Sequence, residues 1–154
     1  MVQIIILLIT ISLAIWYLNT LANTLKAINI KNRKITPMDV WMLMIPFFNY
    51  YYYFVVTKRL SQSIENELKS HSIPTHKPLY DFGIVTAAAF SINGITSILT
   101  RFSLFPEVMS LGISLVAITI WIIYWVQVAG FKKQLLLLPE LEAHNDTVEE
   151  TSVI

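Results

Sequence analysis

Four long apolar runs divide this chain, and they restrict its fold more than any other feature. Ile4–Leu25, Met38–Val56, Phe82–Leu99 and Val108–Phe131 each reach the ~18 residues that cross about 30 Å of hydrocarbon as a helix. Only 14% of the residues are charged and the mean hydropathy is +0.60, against roughly 25% charged in a soluble domain. The expectation is an all-α integral membrane protein with four membrane-embedded helices. Residues 1–138 would form a single multi-pass domain, and residues 139–154 an acidic, disordered tail.

The first run opens on Met-Val-Gln without a Lys or Arg, so it reads as a retained anchor helix rather than a secretory signal. The absence of cysteine removes disulfides, thiol nucleophiles and thiolate metal sites. A net charge of +1 gives no electrostatic case for a nucleic-acid partner.

The second run decides the topology. Thr36 reads as an N-cap, Pro37 as the first helical residue and Asp39 as the carboxylate reaching back to the cap. Pro46 then falls inside the helix, removing one backbone hydrogen bond and predicting a kink or break near Met42–Pro46. Next come Asn49, Tyr50, Tyr51, Tyr52 and Tyr53. Successive helical residues point about 100° apart, so these four phenols face all directions, which suits an interface better than a straight crossing. Asn49 is placed to cap the backbone groups that Pro46 frees. Beyond it, Val56, Leu60, Ile64 and Leu68 recur every four residues among charged neighbours, the pattern of an amphipathic helix following the second run.

The third and fourth runs read as a helical hairpin. Thr86, Asn93 and Thr100 share a face of the third, and Ser110 and Ser114 form a small-xxx-small pair on the fourth. Asn93 and Gln127 are the polar groups best placed to act inside a bilayer, either as interhelical glue or as a pore lining. Trp121, Tyr124 and Trp125 followed by Lys132 and Lys133 read as an aromatic belt closing the fourth helix.

The eleven Lys and Arg residues test the number of crossings, because they concentrate on the cytoplasmic side. If the second helix crosses, Lys26, Lys31, Arg33, Lys34 and Arg101 oppose Lys58, Arg59, Lys69, Lys77, Lys132 and Lys133, a split of five to six. If it turns back or lies in the interface, the split is ten to one, with Arg101 alone outside. That contrast favours a re-entrant or interfacial second helix.

Groups able to carry chemistry are few. Asp39 and Asp81 stand at helix starts, where carboxylates complement the dipole. His71 and His76 flank Pro74 at no dedicated ligand spacing, so no metal or other cofactor is expected. No Gly-x-Ser-x-Gly elbow is present and the four glycines are scattered, which leaves neither a serine nucleophile nor a phosphate loop. The chain is not expected to be an enzyme.

The stretch TPMDVWMLMIPFFN at residues 36–49, with Phe54, Ser63, Glu67, Tyr124-Trp125 and Lys132 further on, resembles a group of small uncharacterised bacterial membrane proteins, Bacteroidota-like, that share a TPxxVWxxxIPxFN motif. The resemblance implies an architecture and a bacterial cytoplasmic (inner) membrane, and groups Trp41, Pro46 and Asn49 as one structural unit. Together these readings predict a non-enzymatic helical module in the lipid bilayer that forms a homo-oligomer or assembles with a membrane-protein partner. A small pore-forming or membrane-perturbing effector is the alternative.

Overall fold

The computed structural model describes residues 2–73 and 78–152, with the backbone alone for Val2, Pro78 and 139–152. Positions 74–77, which include His76, lie outside the described residues. The described chain is all-α, with no strand. It comprises α1 (Val2–Lys26), a 3₁₀ helix (Asp39–Met44), α2 (Phe48–Ser70), α3 (Pro78–Arg101) and α4 (Glu107–Ser152). Three stretches, Gln3–Lys26, Leu79–Arg101 and Glu107–Leu138, are long and apolar enough to cross a membrane. α4 continues past Pro139 to Ser152, through the segment expected to be a disordered tail.

The second apolar run is not among the three, and the kink or break expected near Met42–Pro46 takes the form of a break. Met38–Val56 is not one helix: the 3₁₀ turn ends at Met44, Ile45 is extended (φ −78°, ψ 117°) and α2 begins at Phe48. The cause is local. Proline disfavours the helical region for the residue before it, so Ile45 leaves the helix and the run breaks there. Phe47 adopts φ 65°, ψ −45° and the Phe48 amide donates to Pro46 O at 2.7 Å, which is a γ-turn through the sparsely populated positive-φ region.

The amphipathic segment expected after the second run is the continuation of α2. Val56, Leu60, Ile64 and Leu68 are buried, and Lys58, Arg59, Gln62 and Lys69 are exposed. The connector of turns and bends before the 3₁₀ helix folds back along α2: Asn32 Nδ2 donates to Glu67 Oε2 (2.7 Å) and the Lys34 amide to Ser63 Oγ (2.7 Å). Residues 27–70 therefore form a hairpin with its tip at Pro46 and Phe47.

α2 and α3 are antiparallel. Thr57 meets Gly83, Tyr53 stacks on Phe90 with ring centroids 5.7 Å apart, and the Tyr50 ring lies over Gly94. With Tyr50 over Gly94, the tip at Pro46 and Phe47 lies at or beyond the level of Gly94, in the second half of Leu79–Arg101. α3 and α4 form the most extensive helix pair, and α1 runs parallel to α4, with Tyr17 against Trp121 (5.2 Å) and Trp125 Nε1 donating to Thr20 Oγ1 (3.1 Å). The apolar core gathers Leu21, Leu25, Ile28, Ile35, Leu60, Ile64, Leu68, Leu79, Val128, Leu135 and Leu138 below the tip. The first half of α1 has no such cover, and Ile4 to Ile9 are all more than half exposed.

Close approach fixes two glycines on α3. A Cβ at Gly83 would fall onto the Thr57 methyl, and one at Gly94 onto the tip of the Tyr50 ring, whereas one at Gly112 on α4 would meet open space. Thr57 is β-branched and stiff in a helix, while a phenol tip can swing aside. Gly83→Leu is accordingly expected to destabilise by about 1–3 kcal/mol, read as a lowered melting temperature in detergent, with Gly112→Leu unchanged.

Candidate functional site at the contact of hairpin and bundle

The tip carries the residues that the sequence singled out. Trp41 packs against the core and its amide donates to Met38 O (3.1 Å). The break keeps its backbone groups paired: Ile45 N donates to Met42 O (3.1 Å), Phe48 N to Pro46 O and Asn49 N to Ile45 O (3.1 Å). The Asn49 side chain does not supply the expected cap, since its buried Oδ1 has no hydrogen-bond partner. The main chain closes the turn by itself and leaves the amide nothing to do there.

The four tyrosines part company, as 100° steps require. Tyr50 covers Gly94, Tyr51 is 70% exposed, and Tyr52 stacks on Phe48 at 5.0 Å. Tyr53 enters the bundle, where its hydroxyl pairs with that of Tyr17 at 2.6 Å. Around this pair lie Phe90 (5.7 Å from the Tyr53 ring), Trp121 and Trp125 (5.2 and 5.7 Å from Tyr17), with Trp16 edge-on to Trp125 at 5.4 Å. Such ring pairs contribute ~0.5–1.5 kcal/mol each beyond area burial. The cluster draws on α1, α2, α3 and α4 together. Within it the Tyr53 hydroxyl is satisfied by a second tyrosine, level with mid-α3.

The α3 and α4 faces meet as their spacing predicts. Ser114 Oγ donates to Asn93 Oδ1 (2.7 Å), also within 2.9 Å of Ser110 O, and Thr86, Thr96 and Ser110 are buried. Asn93 and Ser114 are therefore engaged within one chain. Gln127 is not brought to them: 13 residues past Ser114 on α4, it lies ~20 Å along the helix, with its Oε1 buried and without a partner. The two polar residues do not form a common lining.

A third constellation pins the connector to α2. Glu67, 6% exposed, accepts on Oε2 from the Asn29 amide (3.1 Å) and Asn32 Nδ2 (2.7 Å), while Oε1 lies 3.7 Å from His71 Nε2. Ser63 Oγ, already the acceptor for Lys34, donates to Arg59 O at 2.7 Å. Arg33 closes the end of α1, with Nε donating to Ile28 O (2.8 Å) and Nη2 to Lys26 O (3.1 Å). The reciprocal bonds expected of Thr36 and Asp39 are present: Thr36 N to Asp39 Oδ2 (3.0 Å) and Asp39 N to Thr36 Oγ1 (3.3 Å).

Sequence reasoning missed Tyr17 and the Glu67 clamp. The available signal for Glu67 was a carboxylate one turn from Ser63 and three residues from Ile64, on the apolar face of an amphipathic helix. Tyr17 offers no signal in its neighbourhood, because its partner is 36 residues away. Among the described residues, no group of three His, Asp or Glu side chains could hold a metal ion. No protein-family model matches the chain, and no match was found among curated proteins or solved structures.

The Tyr pair gives a sharp energetic test. Tyr53→Phe leaves the Tyr17 hydroxyl buried and unpaired, a loss of about 1–3 kcal/mol, whereas removing both hydroxyls is closer to neutral. A double-mutant cycle on Tyr17→Phe and Tyr53→Phe, measured by thermal unfolding in detergent, should therefore give strong coupling. Additive losses would mean that the hydroxyls do not pair.

Proposed function

We propose that this chain is a multi-pass helical module of a bacterial cytoplasmic membrane, without enzymatic activity, that works by associating with itself or with a membrane-protein partner. α1, α3 and α4 cross the bilayer, with the N-terminus outside. Residues 27–70 form a re-entrant hairpin that enters from the cytoplasmic face and returns to it, and α4 ends on that same face.

One observation carries the topology: the second apolar run is broken at Ile45–Phe47 and folded back on itself. With three crossings, ten of the eleven Lys and Arg residues fall on one side and only Arg101 on the other, the asymmetry of cytoplasmic loops. Irregular backbone at depth is costly when its polar groups are unpaired, and the main-chain groups of the turn are paired among themselves.

The association reading is supported by what the bundle leaves uncovered. The first half of α1 is exposed on every side, and an open apolar groove of about 600 Å³ between α3 and α4 is lined by Ala88, Ala89, Gly112 and Ala117 together with larger residues such as Ile92 and Ile113. Small residues let helix backbones approach in a bilayer. Ser114 donates to Asn93 and Ser110 is buried inside the chain, so a partner would meet the groove instead.

Two measurements test this reading. Single cysteines at Ser70 and Ser103, introduced into the cysteine-free chain, should differ toward an impermeant maleimide on intact cells: Ser103→Cys labelled and Ser70→Cys protected. Labelling at Ser70 would contradict the re-entrant path. Crosslinking in native membranes, followed by mass analysis of the solubilised species, should recover more than one copy or a co-purified membrane protein, and bare monomers would overturn the association reading.

A further inference from the structure

Two buried polar atoms, Ser61 Oγ on α2 and Gln127 Oε1 on α4, have no hydrogen-bond partner, and Tyr124 Oη has the Thr57 hydroxyl as its neighbour. Their positions coincide in depth. Tyr124 lies against Gly83 and faces Thr57, and the Thr57 proton is already given to Tyr53 O at 2.8 Å. Since α2 and α4 both run antiparallel to α3, they run parallel to each other. Ser61 is one turn beyond Thr57 and Gln127 one turn beyond Tyr124 in the same direction, and residues so spaced share a helix face. Ser61 is 8% exposed and Tyr124 1%, so neither reaches bulk solvent.

We propose that Ser61, Tyr124 and Gln127 enclose a small polar site between α2 and α4 that holds bound water. The chemistry fits a neutral hydrogen-bonding molecule. Two hydroxyls both donate and accept and one amide oxygen accepts, which supplies the two to four partners that a buried water requires. A charged occupant lacks a counter-charge among these three side chains. One turn past Gly83 the site is level with Leu79, where the apolar stretch of α3 begins, so water is at hand from the polar face. The bridge hydrates the contact between the hairpin and α4 and offers it an exchangeable link beside the dry aromatic cluster above. The proposal stands on the packing of α2 and α4 and is independent of the association reading.

Water-edited solid-state NMR on the uniformly labelled full chain in lipid bilayers tests it. Magnetisation transfer from water to Ser61 Cβ and Gln127 Cδ should approach the rate at exposed Ser70, with Ala87, buried on α3, as the dry reference. In Tyr124→Phe/Gln127→Leu the fast transfer to Ser61 should be lost, while the thermal unfolding transition is kept, because replacing polar partners by apolar groups of similar shape is close to neutral. Transfer at Ser61 and Gln127 as slow as at Ala87 in the unmodified protein would overturn the site. So would fast transfer to Ser61 that persists in the double variant.

Discussion

Pro46 removes one amide from the backbone and denies the helical conformation to Ile45, so Met38–Val56 folds as two pieces that meet at a γ-turn on Phe47. A helix of that length and hydropathy would otherwise cross a bilayer. Once it is broken, its two arms lie side by side and the connector from α1 reaches Ser63 and Glu67. The positive φ at Phe47 is worth ~1–3 kcal/mol of strain, so the turn persists only because contacts elsewhere hold the arms together.

Those contacts are of two kinds, sorted by their surroundings. Near the polar end the hairpin is held by hydrogen bonds to a buried carboxylate and a buried hydroxyl, Glu67 and Ser63, and bonds to a charged acceptor are worth about 1.5–3 kcal/mol. Level with the middle of α3 it is held by rings, with one hydroxyl pair in their midst. Polar groups can be left partly wet at the first place and must be matched at the second, where no water is available to an orphan. Tyr53 and Tyr17 solve that by pairing with each other.

The sequence made local features legible and long-range ones not. The cap at Thr36 and Asp39, the buried stripe Val56, Leu60, Ile64 and Leu68, and the meeting of Asn93 with Ser114 all follow from spacing along one helix or two adjacent ones. The interruption at Pro46 follows from the missing amide and takes the form of a break because proline also restricts Ile45. Asn49 was assigned to a cap that the main chain itself supplies. Tyr17 with Tyr53, and Glu67 with Asn29 and Asn32, depend on which segments the fold brings together, and no periodicity encodes that. The glycines at 83 and 94 looked scattered in the sequence and prove to lie at the two points where α2 presses on α3.

The central claim is that residues 27–70 double back instead of crossing. A spin-label distance between cysteines at Lys34 and Gln62, both exposed, measured in lipid bilayers, tests it most directly. The contact of the Lys34 amide with Ser63 at 2.7 Å places the two labels at the same end of the hairpin, giving a short distance. A continuous helix through Pro46 would separate them by 28 residues, ~42 Å, and a distance near that value would contradict the account.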